Sequence, residues 1–587
     1  MMLWSLVLAG TIVIPKDATR VERFAAAELA DGLMRVTGER HAVVDTEPES
    51  GLRYLVGGDP LKEAPWKADE IRLVRKGDRI ILTGDATRGP LYAVNEYLER
   101  VVGVRWWTKT ESDYPKRPDF RAPITLDVRY APPFAYRETL YLNTLSDAKF
   151  KVRMKCNVTS RTRYVLPPAE EEFVPPEMGG DHRLVFFAGR RSSYHSFFEI
   201  LPPKKYAKDH PDWYSEVKGR RIGRGQLCVT NPEMLEEYVK NTRALLRECP
   251  DCDSIQVSQN DGFNCCECTN CLARYTAEGS WSGPYLEFAN KVAAAIEKEF
   301  PKVMVDTFAY QFTRKAPKTV RPRKNVLVRL CDIECAFNRP LSDSPAGEGW
   351  DHNASFMRDL ADWSRLADGQ VYIWDYQANF KSYMMPHPNL HVFADNIRTF
   401  RKFGAVGVFE QGDALCPVGD FVALKQYVTA HLLWNPDLDW TALRDEFLKG
   451  YYGPAAPHLA RVLVLAETSA TRKEAPPMRC YHQTAIEWIP VETAHAALKE
   501  MDRALAAAAT VGEPYLRRVR EAKMSWDHAK IVHWSDWRMS GDRASAIRAW
   551  IGNLKEFKVN AYRETTTRQT LDDYLEGLVS AATSLPK

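Results

Sequence analysis

Val371-Tyr372-Ile373-Trp374-Asp375-Tyr376 and Gly407-Val408-Phe409-Glu410-Gln411-Gly412 are short apolar runs that each lead into a carboxylate, with a stretch of helical periodicity between them. Continuous apolar runs suit strands buried on both faces, and strands that alternate with helices predict a parallel sheet wrapped by those helices. The texture extends outward, with strands expected at residues 134–141, 154–158, 184–188, 254–258, 303–309, 326–330, 370–374 and 404–409. The predicted fold class is therefore α/β, with a (β/α)8 TIM-type barrel over residues 126–435. Residues 161–230 lack a clean period and are expected to form loops over the barrel mouth.

Before the barrel, residues 1–125 read as an N-terminal α/β domain. Strand-like runs at 6–15, 53–58 and 79–83 flank a helix opened by the capping box Thr19-x-x-Glu22 and closed by Gly38. A second helix follows Arg88-Gly89-Pro90 and stops at Gly103. After the barrel, residues 436–587 are expected to form a helical region. The first ten residues resemble the apolar part of a signal peptide without its basic start; the rival reading places them in the first strand.

Composition narrows the function. The 80 Lys+Arg nearly cancel the 77 Asp+Glu, and no long block of one sign occurs, so nucleic acid is not an expected partner. No apolar stretch is long enough for a membrane-spanning helix. Sixteen Trp and 25 Tyr suit a cleft that stacks on flat apolar ligand faces, sugars among them.

Catalytic groups of a parallel barrel stand at the C-terminal ends of its strands. That rule selects Asp261, Asp332, Glu334, Asp375 and Glu410, carboxylates of the type that protonate a leaving oxygen or meet an oxocarbenium ion in glycoside hydrolysis. Asp261 and Glu410 are the expected catalytic residues, because each follows a clear strand and stands close to a Gly. Asn260, Tyr310, Trp374, Asp375, Tyr376, Arg137, His195, Asp332 and Glu334 are the expected substrate-binding residues. The ordinary alternatives are loop caps and salt bridges for the carboxylates, barrel packing for the aromatics and a structural loop bond for His195.

Cys265, Cys266, Cys268 and Cys271 form a close set of soft ligands that suits a structural Zn²⁺; disulfides, for example with Cys252, and free thiols are the alternatives. No cofactor is expected to be required for catalysis, and no phosphate-loop, dinucleotide or serine-esterase motif is present.

The stretch Arg88-Gly89-Pro90-Leu91-Tyr92-Ala93-Val94, followed by Gly103-Val104-Arg105-Trp106-Trp107, resembles the N-terminal domain that precedes the barrel in α-glucuronidases and β-hexosaminidases. Barrel and tail resemble glycoside hydrolase family 163, a group formerly classed as a domain of unknown function. The match is carried by Ser258-Gln259-Asn260-Asp261-Gly262 with its C-x-C-x-x-C, His387-Pro388-Asn389-Leu390, the Glu410 segment, and Leu432-Leu433-Trp434-Asn435-Pro436 through Tyr451-Tyr452-Gly453. The resemblance implies an endo-β-N-acetylglucosaminidase that cleaves the chitobiose core of N-glycans with retention, acting on an oligosaccharide or glycoprotein glycan. The resembling group is bacterial, and a polymeric glycan substrate, together with the apolar first ten residues, leads to the expectation of export to the periplasm, cell surface or medium. Two rival readings are an exo-acting α-glucuronidase-like hydrolase with Arg137 or Arg329 as carboxylate clamp, and a non-catalytic carbohydrate-binding barrel.

Overall fold

The computed structural model describes residues 10–157, 174–180, 194–248, 250, 252, 254–343, 352–564 and 568–583. In the N-terminal part, β1 (Thr11–Val13), β2 (Val43–Val44), β3 (Arg53–Val56), β4 (Ile71–Lys76), β5 (Arg79–Gly84) and β6 (Asp127–Tyr130) form one sheet in the order β2-β1-β3-β5-β4-β6. The first four strands in that order run parallel, and β4 is antiparallel to both of its neighbours. The capping box forms as read: Thr19 N–H donates to Glu22 Oε2 at 2.7 Å and Glu22 N–H to Thr19 Oγ1 at 3.2 Å. The helix it opens, Arg20–Thr37, ends on Gly38 at φ 81° and buries Val21, Ala25, Leu29, Leu33 and Val36.

The second sheet consists of β7 (Tyr136–Leu140), β8 (Ser254–Gln256), β9 (Met304–Ala309), β10 (Val326–Cys331), β11 (Val371–Tyr376) and β12 (Gly407–Gln411). All pairings are parallel, in the order β8-β9-β10-β11-β12-β7, so the first strand closes onto the last. Side chains show that the sheet curls. The Arg329 guanidinium of β10 lies 5.3 Å from the ring of Tyr136 on β7, three strands away, and is also 6.0 Å from the rings of Trp374 and Phe409. In a flat sheet three strand spacings would hold these backbones roughly 14 Å apart. Tyr136 and Tyr372 stack at 5.5 Å above the intervening Gly407, where a Cβ would stand 2.7 Å from that of Tyr136.

The described sheet is a six-stranded half-barrel rather than the eight-stranded barrel expected. Of the two other expected strands, 184–188 lies outside the described residues. The other, at 154–158, is no strand over its described part, because Lys155 sits at φ 56° after the short helix Ala148–Arg153. That segment still lies along the β7 edge: Asn157 N–H donates to Arg137 O at 3.2 Å, and Arg137 N–H donates to Asn157 Oδ1 at 3.0 Å. At the opposite edge, Phe197 N–H donates to Ser258 O at 3.2 Å.

Helices Pro232–Glu248, Ser282–Ile296, His352–Leu366, Phe393–Lys402 and Val422–Trp434 follow five of these strands, and β9 joins β10 without an α-helix. The tail is helical as read, with Trp440–Tyr452, Ala456–Ala470, Val491–Ala509, Tyr515–Val532, Arg543–Glu556 and Arg568–Thr583. Its irregular connections lie on the strand-end loops: Phe380 N–H donates to Cys480 O and Tyr383 N–H to Tyr562 O, both at 2.8 Å. Among the described residues no helix is long and apolar enough to cross a membrane.

Candidate active site

Strand alternation decides which residues share the concave face. Trp374 Nε1 donates to Gln411 Oε1 at 2.9 Å, and the Trp374 ring packs on Phe409 at 4.4 Å and on Tyr194 at 4.7 Å. Tyr372, Trp374 and Tyr376 of β11 therefore line the lumen with Gly407, Phe409 and Gln411 of β12. Trp374 and Tyr376 stack at 6.2 Å and form a buried aromatic layer under the C-terminal strand ends, 6% and 5% exposed.

Asp261 stands on the loop that follows β8. Its loop leaves β8 through Val257-Ser258-Gln259-Asn260 and turns at Gly262, whose φ of 110° an L side chain rarely adopts. Gln226 holds the loop: its Nε2 donates to Asn260 O and Gly262 O, both at 2.9 Å, and its Oε1 accepts from Asn260 N–H at 2.9 Å. The exposed Asp261 carboxylate accepts from the Tyr310 hydroxyl at 3.4 Å, and that hydroxyl accepts from Gln311 Nε2 at 2.9 Å. The His195 ring lies 5.9 Å from that of Tyr310. Its Nδ1 stands 2.7 Å from Gln259 O, which can only accept, so Nδ1 carries the proton. Burial lowers the His195 pKa and favours the neutral ring.

The structure thus brings Asp261, Tyr310, His195, Trp374 and Tyr376 to one mouth. Asn260 flanks Asp261 on the same loop and Glu334 acts electrostatically on Tyr310, whereas the other expected site residues lie elsewhere. Asp375 and Glu410 are register partners on β11 and β12, on the face opposite Trp374 and Phe409. Both are buried, and Asp375 is bonded towards Asn396 of the helix Phe393–Lys402. Asp332 joins them, so three carboxyls share the layer between sheet and helices. Burial, reinforced by mutual repulsion, raises Asp332 and Glu410 well above the usual carboxylate range; burial raises Asp375 to about 6. Such a cluster resists ionisation and faces no lumen ligand.

Arg137, expected at the rim, is fully buried and committed: Nη2 to Asp69 at 2.8 Å, Nη1 to Phe134 O at 2.6 Å and Nε to Lys155 O at 3.1 Å. Arg329 is likewise buried and paired with Asp306 at 2.8 Å, so neither arginine is placed to clamp a uronate. Glu334 pairs with Arg314 at 3.0 Å. Asn260 spends its amide on backbone, accepting from Phe198 N–H at 3.3 Å and donating to Gly225 O at 2.7 Å.

Three further carboxylates lie on the lumen side: Asp306, already paired with Arg329, Glu138, which the sequence places with Arg137 on the rim, and Glu564, which it does not single out. Glu138 of β7 accepts from Tyr136 OH at 2.5 Å and is in register with Phe409. Glu564, from the helical tail, accepts from Gln411 Nε2 at 3.1 Å and from the Tyr481 hydroxyl. Glu138 was marked by its place in the first strand, whereas no local pattern marks Glu564.

Of the expected metal set, Cys266, Cys268 and Cys271 converge, but Cys265 does not; its place is taken by Cys228. None of these five is disulfide-bonded, whereas Cys252 is.

Fold and site define an α/β protein whose curled parallel sheet presents a carboxylate and an aromatic layer at its C-terminal strand ends, behind an N-terminal α/β domain. Residues 106–463 match the family model described as Domain of unknown function (DUF4838), and the chain belongs to that family. No curated protein matches. Among solved structures, the chain is similar to a family GH115 4-O-methyl-α-glucuronidase, BtGH115A, with specificity for decorated arabinogalactans. That match has 12% identity and a TM-score of 0.55 over 98% of this chain and 76% of that one. It is also similar to a family 89 glycoside hydrolase from Clostridium perfringens in complex with PUGNAc, at 10% identity and a TM-score of 0.51 over 98% and 73% of the two chains. These likenesses concern the fold.

Proposed function

We propose that this protein is a glycoside hydrolase with Asp261 as its proton donor. The observation that carries the reading is the exposed Asp261 carboxylate on the loop that leaves the C-terminal end of β8, bonded to the Tyr310 hydroxyl at the end of β9. An aromatic layer takes the apolar face of a sugar ring, and a rim carboxylic acid stands where the glycosidic oxygen departs. Glu410 has no part in this mechanism, because it faces the helices.

The finer reading is endo-β-N-acetylglucosaminidase activity, supported by the resemblance to family 163. In that chemistry the substrate's acetamide oxygen attacks the anomeric carbon while Asp261 protonates the leaving oxygen; water then opens the ring intermediate with retention. Where the substrate lacks an acetamide, retention requires a lumen-side carboxylate as the nucleophile and inversion one as the base for water, and Glu564 is the rim candidate for either. The α-glucuronidase reading loses its two proposed clamps to buried ion pairs.

The test is digestion of a glycoprotein N-glycan panel beside aryl N-acetylglucosaminide and aryl α-glucuronide, read by mass spectrometry. Glycans cut between the two core N-acetylglucosamines support the endo reading. Release from the glucuronide alone would replace it with the uronidase reading. Sugar-dependent thermal stabilisation without any turnover would point to a binding barrel.

A further inference from the structure

Cys228, Cys266, Cys268 and Cys271 come from two stretches of chain far apart in sequence, yet their Sγ atoms all lie within 4.8 Å of one another. Cys228 Sγ is 3.6 Å from Cys268 Sγ and 3.9 Å from Cys271 Sγ. Four sulfurs placed tetrahedrally at about 2.3 Å from one Zn²⁺ stand about 3.8 Å apart. The observed spacings bracket that value.

The surroundings supply what a tetrathiolate needs. Glu216 N–H points at Cys266 Sγ from 3.4 Å and Arg221 Nη1 from 3.6 Å, while Thr230 Oγ1 lies 3.1 Å from Cys271 Sγ. Cys268 is the N-cap of the helix Thr269–Glu278, so its sulfur also lies at the positive end of a helix dipole. Donors and positive charge around the sulfurs suit thiolates, and the site offers no open position for a reacting ligand.

We propose that these four cysteines bind one structural Zn²⁺ that fastens the rim loop of the mouth. Gln226, two residues before Cys228, carries three of the hydrogen bonds that hold Asn260 and Gly262 on either side of Asp261. The ion ties the Cys228 segment to the Cys266–Cys271 turn, so the two ends of the Asp261 loop are anchored at one point. The binding itself does not depend on the proposed hydrolase activity.

The experiment is metal analysis of the full chain purified without a polyhistidine tag, together with its Cys228→Ser and Cys265→Ser variants. About one zinc ion per chain is expected in the unaltered protein and in Cys265→Ser, with loss of most of it in Cys228→Ser. Exchange with Co²⁺ should give the sulfur-to-metal charge-transfer and visible bands of a tetrahedral thiolate site. Strong chelation should lower Tm by about 5 °C or more. A metal-free unaltered protein whose four thiols all react with a thiol reagent under native conditions overturns the proposal, as does iron in place of zinc. Because the unaltered protein decides the matter, a Cys228→Ser chain that fails to fold does not shield it.

Discussion

The Tyr310 hydroxyl stands 3.4 Å from Asp261 and joins the end of β9 to the loop that follows β8. Tyr310 is a single residue beyond the strand, so its hydroxyl is fixed by the sheet while Asp261 is held by the loop. Removal of that hydroxyl leaves the fold intact and takes one hydrogen bond from the carboxylate. Tyr310→Phe is expected to lower kcat about tenfold with KM little changed, because the hydroxyl stabilises the carboxylate that forms as Asp261 gives up its proton. Steady-state kinetics on the cleaved glycan will measure it; an unchanged kcat would remove Tyr310 from the mechanism.

Trp374 has a different task. Trp374→Ala breaks the aromatic layer and is expected to raise KM by about tenfold, with Trp374→Phe restoring most of the binding. An effect on kcat alone would contradict a stacking role. The same ring should report sugar binding through its fluorescence.

The buried carboxyls Asp332, Asp375 and Glu410 govern pH dependence rather than chemistry. Each has its pKa raised in the folded state, so the native protein binds more protons than the unfolded chain, and stability falls as pH rises. For Asp375, whose ordinary value is 3.8 and whose folded value is about 6, the loss runs through that interval and amounts to about 3 kcal/mol by neutral pH. Glu410→Gln removes one reluctant charge and should flatten this decline, with Tm at pH 8 equal to or above that of the unaltered protein. A lower Tm for the variant at every pH would show that the carboxyl is needed in its charged form.

Asp69 joins the N-terminal domain to the barrel. Its carboxylate accepts from Arg88 at 2.6 Å and from Arg137 and Asn157 at 2.8 Å, and the two guanidinium groups hold its pKa below the usual range despite burial. Asp69→Ala leaves the Arg137 guanidinium buried without its counter-ion and is expected to cost about 3–5 kcal/mol in urea unfolding. A cost under about 1 kcal/mol would mean that water or another acceptor takes over.

The strands were legible because a sheet covered by helices makes them apolar on both faces, and for the same reason the facing of each residue was not. Yet the parity was written in residue type. In β11 the aromatics Tyr372, Trp374 and Tyr376 alternate with the aliphatics Val371 and Ile373, and the aromatics face the lumen. Asp375 falls in the aliphatic series and Glu410 follows Val408 in the same way, so both turn towards helices. Asp261 comes from a loop, where no such parity applies. Cys228 and Glu564 were hidden by distance along the chain, since only folding brings them to Cys266 and Gln411. Arg137 looked like a ligand group because its partner, Asp69, lies in another domain.

In the proposed mechanism Asp261 acts at the lumen and Glu410 does not. The most direct measurement is the turnover of Asp261→Asn and Glu410→Gln beside the unaltered enzyme on one cleaved glycan. The expected result is a loss of about a hundredfold or more for Asp261→Asn and a kcat within about threefold of the unaltered value for Glu410→Gln. Full activity in Asp261→Asn, or loss of activity in a folded Glu410→Gln, would contradict the assignment.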